Sequence, residues 1–225
     1  MISFRKVTSP AALPFRKTDV VSKFRANAKV GLIAGGVVIW MVLIGWVMRS
    51  WGDYEHTPAI QGEAPRVWPR DSMLTSDSEN GTLIVFVHPN CPCSRGALQT
   101  IAEAFRTSQN FVPRIYVVLS ASGLDVTLPS ENLALARRIP SAEIRFDGDM
   151  SEARRFGATA SGTVYFFDGS RQLRFSGGIS AGRGDSFDNG FAVALFEAIR
   201  QPEFTLVAAP VFGCPLSDQR SLRTQ

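Results

Sequence analysis

A run of 19 uncharged residues, from Val30 to Met48, is the feature that most restricts how this chain can fold. At about 1.5 Å per residue a helix of that length reaches roughly 28 Å, close to the hydrocarbon thickness of a bilayer. The run lies between Lys29 and Arg49, and it is longer than the apolar part of a usual cleaved signal peptide. We therefore predict a transmembrane helix over residues 30–48, with a cleaved signal peptide as the alternative.

The positive charge of the chain is concentrated before this run. The whole chain has 24 Lys and Arg against 20 Asp and Glu, but residues 1–29 hold seven of the bases and one of the acids. Basic flanks stay in the cytoplasm, so we predict a cytoplasmic tail over residues 1–29 and a single-pass protein of the cytoplasmic membrane whose remaining chain is extracytoplasmic. That remainder has a slight acidic excess, which argues against nucleic acid as a partner.

The pattern after the apolar run predicts a tether followed by an α/β domain. Residues 49–65 show no sustained periodicity and are assigned to the tether. Apolar periodicity then predicts, in order, strand 82–87, helix 94–108, strand 111–120, helix 130–138, strand 143–147, helical turn 151–156, a hairpin over 163–177 and helix 187–200. This order favours a domain over residues 66–202 with a mixed central sheet and helices on both faces. Residues 203–225 are assigned to a C-terminal tail.

Three cysteines carry the predicted chemistry. Cys91 and Cys93 form a C-x-C pair just after the first strand, and Cys214 lies far along the chain. A thiol at the start of a helix faces unpaired backbone N–H groups, which favour the thiolate, so Cys91 is the predicted attacking thiol. Cys93 or Cys214 would resolve the mixed disulfide. Ser94 would either donate a hydrogen bond to Cys91 or cap the helix.

The same part of the sequence leaves two other functions open. His88, Cys91, Cys93 and Cys214 offer one imidazole and three sulfurs, which are soft donors suited to Cu(I) or Zn. A copper-binding assembly factor or chaperone is therefore the first alternative to thiol chemistry, which itself needs no resident cofactor. A non-catalytic binding module that keeps the fold is the second alternative.

Two segments resemble the thioredoxin-like superfamily. LIVFVHPNCPCSRGAL, residues 83–98, is similar to the thioredoxin signature in which a strand ends in Phe, four residues intervene, and a Cys begins the first helix. RFGATASGTVYFFDGSRQL, residues 155–173, is similar to the segment that enters the hairpin opposite the active site. Membrane-anchored redoxins labelled RedB share phrases similar to HPNCPCSR, FSGGIS and FGCPL. The resemblance implies a thioredoxin-like fold and exchange with a protein thiol or disulfide and a further redox partner.

The sequence also departs from the thioredoxin pattern. The second cysteine of the usual C-x-x-C motif is replaced by Ser94, and Gly162 stands at the position of the cis-proline. Val85 takes the place of the buried acid, and Asn90 that of the usual Trp. These replacements do not favour a general disulfide reductase.

Overall fold

The computed structural model describes residues 17–107, 112–123, 129–183, 190–201 and 205–217. The chain divides into two compact units, with the division after Gly52. Most of helix α1, Lys17–Glu55, belongs to the first unit. The second unit contains the sheet and the remaining helices.

Among the described residues, helix α1 is long and apolar enough to cross a membrane. Its stretch Gly31–Glu55 has 25 residues, and the most apolar 18-residue window within it has a mean hydropathy of 2.2 and is not buried. Large apolar side chains such as Leu32 and Trp40 remain 78% and 60% exposed. The predicted N-terminal apolar helix is therefore confirmed, while the same length and composition also fit a signal sequence.

The second unit contains a six-stranded sheet. Its strands are β1 (Thr82–Val87), β2 (Arg114–Ser120), β3 (Ala142–Asp147), β4 (Thr163–Phe167), β5 (Leu173–Gly177) and β6 (Val207–Ala208), in the order β3-β2-β1-β4-β5-β6. Strands β1, β2 and β3 are parallel, β4 is antiparallel to β1 and β5, and β6 is parallel to β5. The helices are α2 (Arg95–Thr107), α3 (Glu131–Ala136), α4 (Ser151–Phe156) and α5 (Gly190–Arg200). This mixed sheet with its helices confirms the predicted thioredoxin-like fold.

Strand β1 is buried on both faces, which explains its unbroken apolar sequence. Successive side chains of a strand point to opposite faces, and here Leu83, Val85 and Val87 join one apolar cluster while Ile84 and Phe86 join another. The first cluster includes apolar residues of α2 and α5, and the second includes aromatic residues of α4 and β4. The loop after Val87 therefore leaves the sheet at its centre, held on both sides.

The chain beyond residue 202, which the sequence analysis assigned to a tail, packs on the domain over its described part. Val207 pairs with Phe175 of β5, and the Ala209 N–H donates to the Ser176 carbonyl at 2.9 Å. Further on, Leu216 is 1% exposed and belongs to the second apolar cluster. Residues 205–217 thus extend the sheet and contribute to the core.

Part of the predicted tether packs in the same region. The Ala59 N–H donates to the Val211 carbonyl at 2.7 Å, and the Gln61 side-chain amide donates to the Ala209 carbonyl at 2.8 Å. These bonds join two segments that are short and lack periodicity, so their pairing depends on contacts far apart in sequence. The segment 205–217 is consequently held from both sides, by β5 and by residues 59–61.

Candidate functional site

Cys91 lies in the loop that leaves the buried end of β1. It precedes a short 3-10 helix, Pro92–Ser94, which continues into α2. The loop is closed by a hydrogen bond from the Cys91 N–H to the His88 carbonyl at 3.1 Å. From α3, the buried Asn132 amide donates to the carbonyls of His88 and Cys91, both at 2.8 Å. Cys91 is 2% exposed, so its position is set by both the strand and α3.

Cys214 reaches the same place through backbone pairing of the C-terminal segment. The Ser161 N–H donates to the Cys214 carbonyl at 2.8 Å, and the Leu216 N–H donates to the Thr159 carbonyl at 2.9 Å. These two bonds form an antiparallel bridge between Ala160 and Pro215. The bridge fixes Cys214 against the loop that enters β4.

Gly213 explains how the two backbones come so close. A Cβ atom at this position would overlap the carbonyl oxygen of Ser161. A side chain at residue 213 would therefore push the segment away from Ser161 and move Cys214 with it. Glycine is required here because of this close approach.

The three cysteines form one cluster. The Sγ atoms of Cys91, Cys93 and Cys214 all lie within 4.8 Å of one another, and all three are free thiols. Cys91 is buried, whereas Cys93 and Cys214 are half-buried and lie on the outer side. The sequence predicted each cysteine as a candidate, and the structure brings them together.

Cys91 is the thiol that favours its charged form. Burial raises its pKa, but hydrogen bonds from the backbone and thiol of Cys214 and from the hydroxyls of Ser94 and Ser161 outweigh burial, so the pKa of Cys91 is lowered from its usual value. Burial and the nearby charge of Cys91 raise the pKa of Cys93. Burial and the interaction with Cys91 raise the pKa of Cys214 to about 12. Cys91 is therefore the most acidic of the three thiols.

Ser94 and Ser161 form a buried pair next to Cys91. Their hydroxyl oxygens are directly hydrogen-bonded to each other, and Ser161 also accepts a bond from the His88 N–H at 2.7 Å. Ser94 is 1% exposed and Ser161 is fully buried. The Ser94 and Ser161 hydroxyls also hydrogen-bond to the Cys91 sulfur.

Arg183 contacts the cluster at Cys93. Its guanidinium donates to the carbonyls of Tyr54, Thr57 and Gly213, with the Gly213 bond at 2.7 Å. It also lies 4.7 Å from the centre of the Tyr54 ring and interacts with the Cys93 thiol, an interaction that opposes the rise of the Cys93 pKa. Arg183 thus links Cys93 to the backbone next to Cys214.

His88 is separate from the cysteine cluster, although the sequence grouped it there as a possible metal ligand. Among the described residues, the side chains close enough to share one ion are Cys91, Cys93 and Cys214. The Nδ1 atom of His88 instead accepts a hydrogen bond from the Asn90 N–H at 3.2 Å. Gly162, at the cis-proline position of the resemblance, has a φ of +90° and donates its N–H to the Phe86 carbonyl at 2.7 Å.

Sequence reasoning did not identify four residues that shape this site: Ser161, Asn132, Arg183 and Gly213. The glycine directly before Cys214 was a usable signal, because glycine often marks close backbone approach. The other three lie in separate elements, and nothing local connects them to the cysteines.

Several solved structures are similar to this chain over most of the folded domain. An uncharacterized conserved protein from Geobacillus kaustophilus matches at 14% identity with a TM-score of 0.52, covering 73% of this chain and 93% of that one. A hypothetical protein from Sinorhizobium meliloti matches at 15% identity with a TM-score of 0.47, covering 72% of this chain and 96% of that one. A thioredoxin-like protein in its oxidized form matches at 20% identity with a TM-score of 0.41, covering 65% of this chain and 93% of that one. The similarity to the Geobacillus protein concerns the fold alone. No protein-family model and no curated protein matches the sequence.

Proposed function

We propose that this protein is a membrane-anchored, extracytoplasmic thiol-disulfide exchange protein in which Cys91 attacks and Cys214 resolves. The observation that carries the proposal is the meeting of three free thiols within 4.8 Å. Only Cys91 in this cluster has a lowered pKa, which suits it for nucleophilic attack near neutral pH. Its substrate class is a protein thiol or disulfide.

The exchange balances in two steps. The Cys91 thiolate attacks one sulfur of a substrate disulfide, forms a mixed disulfide and releases the other substrate sulfur as a thiolate. Cys214 then loses its proton to that leaving thiolate and attacks the Cys91 sulfur. The second substrate thiolate leaves, so the substrate gains two electrons and the protein holds a Cys91–Cys214 disulfide. An external dithiol reductant reverses the oxidation of the protein.

Cys214 is preferred to Cys93 as the resolving thiol for two reasons. It hydrogen-bonds to Cys91 through both its backbone N–H and its thiol. A disulfide between Cys91 and Cys93 would close a very short ring, and bridging geometry is demanding. Cys93 remains the alternative resolving thiol.

Access to Cys91 requires a small movement at the outer side of the cluster. Cys91 is 2% exposed, and Cys214 contacts its sulfur. A substrate disulfide therefore meets Cys91 only when the Cys214 side chain turns aside, whereas Cys93 is accessible without that movement. The lowered pKa of Cys91 favours Cys91 as the attacking thiol, whereas greater exposure favours Cys93. Because the thiolate is the attacking species, we assign the attack to Cys91.

The resolving thiol can be identified with a small aromatic disulfide as substrate. The fully reduced full-length chain in detergent is mixed with this reagent, and the released aromatic thiolate and the protein mass are followed. We expect Cys214→Ser to accumulate a mixed disulfide at Cys91, while Cys93→Ser continues to an internal disulfide. Accumulation in Cys93→Ser instead would assign resolution to Cys93.

The attacking thiol is tested by limiting alkylation of the reduced chain with iodoacetamide near neutral pH. We expect Cys91 to be labelled first. Faster labelling of Cys93 would overturn the assignment of Cys91. Equal and slow labelling of all three thiols would leave a non-catalytic binding module.

The membrane topology is proposed from the basic residues that precede the apolar run Val30–Met48. Because Lys and Arg flanks stay in the cytoplasm, a reporter that works only after export should be active when fused after Gln225, and the protein should sediment with membranes. A reporter active only in the cytoplasm would reverse the topology, and release of the protein from membranes would identify a cleaved signal peptide.

A further inference from the structure

We propose that Cys91, Cys93 and Cys214 together form a three-coordinate binding site for monovalent copper. This inference goes beyond thiol-disulfide exchange and does not depend on it. It uses the same sulfurs in their reduced state, so a metal-loaded site and a disulfide exclude each other.

The spacing of the sulfurs fits a single bound ion. Metal-thiolate bonds to an ion such as zinc are about 2.3 Å long, so three sulfurs spaced evenly in a plane around an ion are about 4 Å apart. The Sγ atoms here lie within 4.8 Å of one another. Small rotations of the cysteine side chains therefore suffice to close the site around an ion.

The number and type of ligands favour monovalent copper over zinc. Soft thiolates select Cu(I), and structural zinc sites take four ligands. The part of the chain that the structure describes brings three sulfurs together and adds no His, Asp or Glu to the group. The site therefore supplies the sulfur donors of a trigonal centre without the fourth ligand of a closed zinc site.

The surroundings hold the ligands in place before metal arrives. Asn132 fixes the Cys91 carbonyl, and the antiparallel bridge at Pro215 fixes the backbone of Cys214. Arg183 interacts with Cys93 and donates to the Gly213 carbonyl. Three thiolates around one monovalent ion carry a net negative charge, and the positive charge of Arg183 offsets part of it. Such fixed outer partners strengthen metal binding.

The half-buried thiols give the site an open side. Cys93 and Cys214 are partly accessible, while Cys91 lies beneath them. An incoming sulfur ligand could therefore reach a bound ion from the outer side. This arrangement suits an ion that is passed to another protein rather than stored.

The test is an anaerobic titration of the reduced full-length chain in detergent with Cu(I), in competition with a chromophoric Cu(I) chelator. We expect one ion per chain, sulfur-to-copper absorption in the ultraviolet, and three sulfur neighbours by X-ray absorption. Replacing any one ligand, by Cys91→Ser, Cys93→Ser or Cys214→Ser, should weaken binding more than about 100-fold, beyond the 10- to 100-fold typical of outer partners. Cys91→Ala serves as a second variant if Cys91→Ser does not fold.

The matched control is His88→Gln, which leaves the three sulfurs untouched and should bind Cu(I) as the unchanged chain does. Loss of binding in this control equal to that of the cysteine variants would overturn the three-sulfur site. Tighter binding of Zn than of Cu(I), or no Cu(I) binding by a folded reduced chain, would also overturn it.

Cys93→Ser separates this inference from the proposed exchange. With Cys214 as the resolving thiol, this variant should keep exchange and lose copper. Absence of exchange in the unchanged reduced chain, with its copper binding retained, would remove the proposed function and leave the copper site standing.

Discussion

The loop at residues 88–94 and the segment at residues 205–217 bring cysteines to the same site in different ways. The loop follows a strand that is buried on both faces and leads directly into α2, so local sequence already predicts where Cys91 and Cys93 lie, and Asn132 of α3 only adds hydrogen bonds to that loop. The C-terminal segment has only a two-residue strand and is held by backbone bonds to β5, to residues 59–61 and to Ser161. One half of the site is therefore local, and the other half is assembled by long-range contacts.

The strongest test of this difference is Leu216→Ala. Leu216 is 1% exposed in the second apolar cluster, so truncation should cost about 2–5 kcal/mol of unfolding free energy through lost burial and a cavity. Urea unfolding followed by tryptophan fluorescence measures this cost. Val193→Ala, at a position 45% exposed on α5, should change stability by less than about 0.5 kcal/mol. Equal small effects would show that the segment does not contribute to the core.

Gly213→Ala tests the close approach of the segment to Ser161. The new Cβ would overlap a backbone oxygen that cannot rotate away, so we expect a loss of about 1–3 kcal/mol, as for other overpacked sites. The shift should also reduce formation of the Cys91–Cys214 disulfide under mild oxidation, as seen by non-reducing mass mapping. Gly190→Ala, whose Cβ would meet nothing within 4 Å, should preserve both stability and disulfide formation. A Gly213→Ala chain that forms the disulfide normally would contradict the assembled half of the site.

The pH dependence of alkylation tests whether Cys91 is more acidic than Cys93 and Cys214. Reaction rate rises with pH as thiolate forms, so the lowered pKa of Cys91 places its rise at lower pH than those of Cys93 and Cys214. Ser161→Ala removes a hydrogen bond to the Cys91 thiolate and should move that rise to higher pH. Thr100→Ala, at a half-buried position of α2, is the matched control, because the Thr100 hydroxyl donates to the Gly96 carbonyl instead. If the pH profile of Cys91 alkylation is unchanged in Ser161→Ala, Ser161 does not stabilise the Cys91 thiolate.

The smallest expected effect is that of Arg183→Gln on Cys93. Loss of the guanidinium removes an interaction that lowers the pKa of Cys93, so alkylation of Cys93 should begin at higher pH than in the unchanged chain. Arg183→Lys keeps the charge but not the planar fork, and should restore the Cys93 profile while losing part of the three carbonyl bonds. Identical Cys93 profiles in the Gln variant and the unchanged chain would show that Arg183 acts on the backbone alone.

Much of the fold could be predicted because its signals are local. The apolar run of helix α1, the doubly buried strand β1 and the hairpin of β4 and β5 each carry their own periodicity or turn residues. Strand β6 carries no such signal, since two residues cannot show a period. Its place depends on pairing with β5 and on glycines at residues 177 and 178 that admit the backbone of residues 209 and 210.

The candidate site divides in the same way. Cys91, Cys93 and Ser94 could be proposed from their spacing after β1, because a strand followed by a helix sets their positions within a few ångströms. Ser161 and Arg183 could not, because each is brought to the sulfurs by a different part of the sheet. His88 shows the opposite error, since proximity in sequence suggested a ligand that the structure leaves outside the cysteine cluster.

The amino-acid sequence by itself determined the apolar N-terminal helix, the order of strands and helices, and the position of Cys91 and Cys93 at the end of a buried strand. These follow from side-chain polarity and backbone preference over a few neighbouring residues. Only the tertiary structure decided that Cys214 completes the cluster and that Cys91 is the acidic thiol. Both depend on hydrogen bonds and close backbone contacts between segments far apart in the chain, and such contacts exist only once the sheet has formed.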